Sequence, residues 1–470
     1  MRPLAAALVL FVTCVARVTP VAVAAEMPES LSVEQAVDSA LIASPDLLDV
    51  VDRARGAAAN LSGTRSLFLP QVTPFYDRTV NRDATGNTTR FGSFFSQQFL
   101  FGPRLLGSVE TTTPDDATGE YATRYALELD QPLLRGLDPV VTREPLRAAR
   151  RFDESSRRAV ATVRRQTVVA VWAAYLDAVV AEDLVTLAGE RFLRADKLHE
   201  ASRAKLESGT VSRLDVLRSE QLSASARREE NESKSARDDA HDALARLTGR
   251  PPGSRFVLAP PDRLPVAVPG EPEAQAFAKA HLEDLLEERD RVKDAEAALR
   301  IAKSAVLPSV SAFGLFSADG RSSKVFDSFT TPGRPTWSLG LRSEATLNLG
   351  LVLGQKAQAQ VALETARRRA RVLEDDVARR VARSARRLAT ARERLSIDDA
   401  NLEVARMQLD VANLRFEKGL SDNFNVVDAE NLYHAARVSY VTSKSALLLS
   451  ELDLLLVSGL LEIRDFLPRK

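Results

Sequence analysis

Cysteine is all but absent from this chain: 470 residues carry one, Cys14. It falls inside an N-terminal layout of Arg2, an apolar run from Leu4 to Val15 and the small-residue end "PVAVAA", which reads as a cleavable secretory signal cut after Ala24 or Ala25. A lipid attached to Cys14 would want a small residue before it, and "FVTC" puts Thr13 there, so the expectation is that Cys14 leaves with residues 1–25. The mature chain then has no disulfide and no thiolate metal site. Histidine is scarce too: His199, His241, His281 and His434 form no i,i+4 pair, so neither a metal site nor a cofactor is expected. No G-x-x-x-x-G-K-[ST] loop and no G-x-S-x-G elbow occurs, which argues against an enzyme and against an energy source of its own. Beyond the signal, no apolar run approaches the roughly 20 residues of a membrane helix. Charge of one sign is lacking as well. Lys plus Arg and Asp plus Glu each number 64, so no net field favours nucleic acid.

Proline and glycine are the next absences. Residues 146 to 250 hold no proline and three glycines (Gly189, Gly209, Gly249), and residues 355 to 467 hold no proline and two (Gly419, Gly459). A helix from about Thr142 to Glu207 would extend roughly 100 Å. In the second such helix, small or apolar residues at Ala366, Ala370, Leu373, Val377, Val381, Ser384, Leu388, Ala391 and Leu395 step by three and four, a narrow coiled-coil seam. The arginines around it, from Arg367 to Arg387, read as a solvated face.

What is present is a duplication. Lys205 to Gly249 matches Arg415 to Gly459 without a gap at an offset of 210, pairing Gly209 with Gly419, Glu220 with Glu430, and "SKSA" at Ser233 with "SKSA" at Ser443. Upstream the offset is 238, where "LPQVTPF" at Leu69 pairs with "LPSVSAF" at Leu307; the extra 28 residues lie in the first half between about Phe75 and Leu127. The expected organisation is a signal (1–25), a first repeat (26–250), a linker (251–270) and a second repeat (271–470). Each repeat begins with a helix (Ser32 to Leu67 with a break at Pro45, and Glu271 to Val306) that ends at Leu-Pro. A β-hairpin follows, about 68–134 in the first repeat and 307–350 in the second, and then a long helical hairpin turning at Gly209 or Gly419, where glycine accepts the left-handed conformation.

Period-two alternation marks the strands. Trp337, Leu339, Leu341, Ser343, Ala345, Leu347 and Leu349 occupy one face and Thr336, Ser338, Gly340, Arg342, Glu344, Thr346 and Asn348 the other; Tyr121, Thr123, Tyr125, Leu127 and Leu129 do the same in the first half. The stretch rich in Gly, Thr, Asn and Phe before it (Phe91, Phe94, Phe95, Phe99, Phe101) reads as an extracellular loop with an aromatic girdle. About four strands with open edges cannot lie in lipid alone, so the chain must oligomerise; three copies supply about twelve. The expected fold class is mainly α, a duplicated long-helix α-barrel plus hairpins that form a trimeric 12-stranded membrane β-barrel.

The chain resembles the TolC-like outer-membrane efflux proteins over essentially its whole mature length. The resemblance rests on "LSVEQAVDSALIASPDL" (Leu31 to Leu47), the Leu-Pro strand entries, "QPLLRG" (Gln131 to Gly136) and the duplicated Gly-x5-Asp/Asn-Val turns. It implies a homotrimeric channel-tunnel in the outer membrane of a Gram-negative bacterium, with a long periplasmic extension, a periplasmic adaptor, an inner-membrane transporter and outer-membrane lipid as partners, and no nucleic acid. Carried over by position, Gly209, Thr210, Gly419 and Leu420 are adaptor-contact turns, and Asp428, Asn425, Asp422 and Asp215 lie at the channel entrance. Family members often have two acids where this chain has Asn425 and Asp428, and the basic partner expected across the tip is Ser421. Asp428 is therefore either one of three carboxylates in a cation-favouring ring or a solvated helix residue. The load could be drugs, metals or secreted protein, with small molecules favoured; the absence of Met and His clusters weighs against soft metals. From other classes, a periplasmic coiled-coil scaffold would leave the amphipathic strands without a purpose, and a two-lobed soluble binding protein would need compact lobes.

Overall fold

The computed structural model describes residues 29–80, 88–113, 119–345, 348–418, 420–421 and 423–468. The expected signal, its cleavage site and Cys14 lie outside these residues, as do Gly419 and Asp422. In chain order the elements are β1 (Glu29–Leu31), α1 (Val33–Ala43), α2 (Pro45–Ser66), β2 (Gln71–Thr79), β3 (Thr88–Gln98), β4 (Arg104–Thr112), β5 (Tyr121–Pro132), α3 (Pro139–Glu207), α4 (Arg213–Leu247) and β6 (Phe256–Leu258). The second half supplies α5 (Glu271–His281), α6 (Glu283–Ala305), β7 (Ser309–Ser322), α7 (Val325–Thr330), β8 (Thr336–Glu344), α8 (Leu349–Glu417) and α9 (Asn423–Ser458).

The outgoing helices α3 and α8 are each 69 residues long, about 100 Å of uninterrupted helix. Local chemistry sets their starts. Asp138 caps α3 by accepting the Val140 N–H at 2.9 Å with Pro139 pre-setting the first turn, and Asn348 caps α8 by accepting the Leu351 N–H at 3.2 Å. The return helices α4 and α9 cover the distal half of these rods, and α2 and α6 cover the half next to the sheet. All nine seam positions of α8, Ala366 to Leu395, are buried or half-buried, and Val377, Val381 and Leu388 pack with Leu285 of α6 and Leu454 of α9. The surrounding arginines pair outward, Arg367 with Glu296 at 2.7 Å and Arg379 with Asp376 at 2.6 Å.

The initial helices depart from the expectation in one respect. The break after Ser44 has a counterpart at Leu282, so Glu271 to Val306 is two helices. Both residues are extended (ψ 117° and 127°) and stand 238 positions apart, the repeat offset, which makes the break a property of the duplication. At mid-length β1 pairs parallel with β6 above the main core, so the segment read as a linker carries a strand. There the Tyr175 hydroxyl donates to the Leu31 carbonyl at 2.9 Å and accepts the Ala259 N–H at 3.0 Å, and Trp172 meets Phe466 edge to face at 5.9 Å. Burial raises the pKa of the Tyr175 phenol, keeping it a neutral donor. Full burial of an apolar side chain such as Phe466 contributes about 1.5–3 kcal/mol.

The sheet corrects the expected strand count. One antiparallel sheet holds six strands in the order β2-β3-β4-β5-β7-β8, four from the first half and two from the second, rather than one hairpin from each. The Phe-rich stretch is not a loop: Phe91, Phe94 and Phe95 lie within β3. Its period was hidden because Phe94 projects from the face opposite Phe91 and Phe95, where it stacks on Phe75 with ring centroids 4.6 Å apart. The alternation read to Leu349 stops earlier, since β8 ends at Glu344 and α8 begins at Leu349. The expectation of twelve strands in three copies rested on about four strands per copy, whereas the sheet of one copy has six.

Candidate functional site

Two regions are candidates for functional chemistry, the distal tip of the helical hairpins and the two faces of the sheet. At the tip, Gly209 adopts φ +74°, and the Thr210 N–H reaches back to the Lys205 carbonyl at 2.9 Å. The second turn repeats the bond 210 residues on, with the Leu420 N–H on the Arg415 carbonyl at 2.9 Å. In the first turn the left-handed Gly209 makes this helix-terminating bond possible. Beyond them the tip exposes Leu214, Leu217, Leu420 and Phe424, with Leu420 at 78% the most open.

The residues proposed for the entrance do not share one environment. Asp215 is buried and occupied in a capping box: its carboxylate accepts the Ser212 N–H at 3.1 Å and the Ser212 hydroxyl at 2.6 Å. Asn425 is exposed, its amide donating to the Ser421 hydroxyl at 2.8 Å. Asp428 is exposed on α9. Thr210 donates its hydroxyl to the Lys205 carbonyl at 3.0 Å, a turn-stabilising bond.

Residues missed by sequence reasoning join the two turns. Asn423 is fully buried and donates its amide to the Ser202 hydroxyl at 3.1 Å and to the Asp215 carbonyl at 2.9 Å. Lys205 donates to the Phe416 carbonyl at 2.7 Å. Higher on the rod, the Arg194 Nε–H is shared between both carboxylate oxygens of the buried Glu430 at 2.9 and 3.2 Å, and His434 Nε2 meets Glu229 Oε1 at 2.6 Å. Arg191 reaches Glu229 and Asn431, and Arg437 pairs with Glu190, whose carboxyl is held below its ordinary pKa by that hydrogen bond. These links tie α3 and α4 of the first half to α9 of the second. The sole signal for any of them was the repeat pairing of Glu220 with Glu430, and it does not discriminate: Glu220 is exposed whereas Glu430 is buried.

The register places the charged residues of the sheet on one face, apart from Arg78 near the end of β2, and an apolar row on the other. Cross-strand partners Val72, Phe95, Gly107, Leu127, Phe316 and Trp337 form one row on one face across all six strands. The opposite face carries ion pairs from strand to strand: Asp77–Arg90 at 2.7 Å, Arg90–Glu110 at 3.5 Å, Arg124–Asp319 at 3.0 Å and Arg342–Glu128 at 3.2 Å. At the end remote from the helices, α7 lies on the apolar face. Gly320 permits this, since a Cβ there would stand 2.2 Å from the Ser328 carbonyl oxygen. Among the described residues no helix is long and apolar enough to cross a membrane, and no group of three or more His, Cys, Asp and Glu is placed to hold a metal.

A strongly amphipathic antiparallel sheet joined directly to two pairs of very long helices defines the class of outer-membrane channel proteins with a helical tunnel. Residues 36–250 and 277–460 match the model of the outer membrane efflux protein family, and the chain belongs to that family. Among solved structures it is similar to CusC (TM-score 0.70, 17% identity, 91% of each chain covered). VceC from Vibrio cholerae is comparable (TM-score 0.69, 15% identity, 91% of this chain and 96% of that one). So is the open state of MtrE from Neisseria gonorrhoeae (TM-score 0.68, 17% identity, 91% and 88%). The fusaric acid resistance protein FusA of Burkholderia cepacia is 24% identical over 345 residues, which span 72% of this chain and 58% of that relative. Of these, CusC and MtrE form channels.

Proposed function

We propose that three copies of this chain form the outer-membrane exit duct of a tripartite export system in a Gram-negative bacterium. The observation that carries this is the continuity of the six-stranded amphipathic sheet with 69-residue helices, a membrane element and a tunnel in one chain. The apolar face meets outer-membrane lipid and the ion-paired face lines the lumen, because charge on the lipid side would be costly. The helices cross the periplasm, and the exposed Leu214, Leu217, Leu420 and Phe424 at the tip offer an apolar patch to a periplasmic adaptor. An inner-membrane transporter supplies the energy, and the chain has no catalytic role. The load is small molecules, a reading supported by the relative named for resistance to fusaric acid.

The test is electron microscopy of the full chain extracted from membranes. A detergent-dependent threefold particle longer than about 100 Å with a belt at one end is expected. Rods released by a salt wash would replace this reading with a periplasmic scaffold.

A further inference from the structure

The six-stranded sheet has two open edges, and they are complementary. Hydrogen bonding alternates direction along the order β2-β3-β4-β5-β7-β8, and because six is even, the outer strands β2 and β8 run antiparallel to each other. An edge brought from a second copy would therefore continue the same antiparallel ladder. Both edges also continue the division of faces. On β2, Val72 and Tyr76 are 66% and 69% exposed; on β8, Trp337, Leu339 and Leu341 are 76%, 76% and 72% exposed, all on the apolar face. On the charged face Asp77 reaches one edge and Arg342 the other. Nothing marks β2 and β3 as a hairpin folded away from the membrane element, since Phe91 and Phe95 carry the apolar face onto β4 through continuous pairing with it. In lipid, unpaired backbone groups on either edge have no water to satisfy them, so the edges must close.

We propose that β2 of each copy pairs with β8 of the next, closing three six-stranded sheets into one barrel of eighteen strands. The proposal rests on the trimeric exit-duct reading and adds its dimension. At a strand spacing of about 4.8 Å and a tilt of about 40°, eighteen strands enclose a barrel about 36 Å across between backbones, against about 24 Å for twelve. A barrel of this size leaves an aqueous channel open through its centre. Its circumference, about 110 Å, also approaches that of a ring of twelve helices spaced about 9–10 Å apart, so sheet and tunnel join with little taper. The membrane part is then the wide part of the duct, and control of passage falls to the distal tip. Pro74 lacks an N–H, so the ladder on one side of β2 is short of one donor.

Two measurements on the full-length protein decide it. In averaged electron-microscope images of the wild-type particle, the ring viewed down the threefold axis is expected at about 36 Å. In parallel, Thr73→Cys or Phe75→Cys on β2 is combined with Ser338→Cys or Arg342→Cys on β8, in a mature chain expected to have no other cysteine. At least one pair should yield cross-linked trimers on non-reducing gels, and none of the single variants should. A threefold particle with a ring about 24 Å wide overturns the eighteen-strand closure while leaving the exit-duct reading standing, as does a 36 Å ring whose cysteine pairs cross-link only within one chain. A chain that needs no detergent overturns both.

Discussion

The ammonium of Lys205, two residues before the end of α3, lies 2.7 Å from the carbonyl oxygen of Phe416 and 3.7 Å from the centroid of its ring, near the end of α8. One side chain thus ties together the far ends of both 69-residue helices. A hydrogen bond from a charged donor contributes about 1.5–3 kcal/mol, and the ring contact adds about 0.5–1 kcal/mol where water still reaches. Lys205→Met keeps much of the packing and removes both. The variant is expected to loosen the tip and raise single-channel conductance in planar bilayers; conductance equal to wild type would show that the two helix ends do not restrain the entrance.

Glu220 and Glu430 occupy equivalent repeat positions in different surroundings, and that difference is measurable. Glu430→Ala removes the buried carboxylate that holds Arg194 and should cost about 1–3 kcal/mol, visible as a lower thermal midpoint. Glu220→Ala, on an exposed surface, should stay within about 0.5 kcal/mol of wild type. Equal effects at both positions would contradict the asymmetric packing of the two halves.

Asp428 tests the entrance chemistry. If three copies place it at the constriction, Asp428→Ala reduces the preference for cations in reversal-potential measurements, and more strongly at low salt because screening shortens the reach of the ring. Unchanged selectivity would make Asp428 a solvated residue of α9.

Glu283 predicts an acid limb in stability. Burial raises its pKa, but the two hydrogen bonds from Arg165, at 2.8 and 2.6 Å, and the positive charge outweigh this and hold the carboxyl below its ordinary value. The native state therefore keeps Glu283 ionised at pH values where the unfolded chain, near pKa 4.3, takes up a proton. Its contribution is complete above about pH 5 and is lost as pH falls through that value toward the native one. Glu283→Gln should lower the thermal midpoint at pH 7, and the gap to wild type should narrow by pH 3. A gap that is constant with pH would assign the effect to packing.

The long helices were legible because breakers are scarce: α3 runs through Pro145 near its start and Gly189 in its middle, and Gly209 and Gly249 stand where helices end. Gly209 bears this out with its left-handed backbone. The strands were legible only where one face was largely apolar, as on β5 and β8. On β3 and β4, Phe94 and Leu106 sit on the charged face and Gly107 on the apolar one, so period two fails in the sequence while the sheet remains intact. The capping role of Asp215 was local and could have been read from Ser212 three residues before it. The buried Asn423 could not, because its partners Ser202 and Asp215 are more than two hundred positions away.

By itself the sequence determined the duplicated plan, the helix lengths, the turns and the family, since each follows from local backbone preference or from periodicity within one element. Tertiary structure alone decided that the sheet has six strands and which edges stay open, because cross-strand pairing is a contact between segments and leaves no local signature. It also decided which of two equivalent glutamates is buried. Helix packing made that choice: α9 lies against α3 and α4 of the first half, so its Glu430 is enclosed, while the face of α4 that bears Glu220 is left exposed.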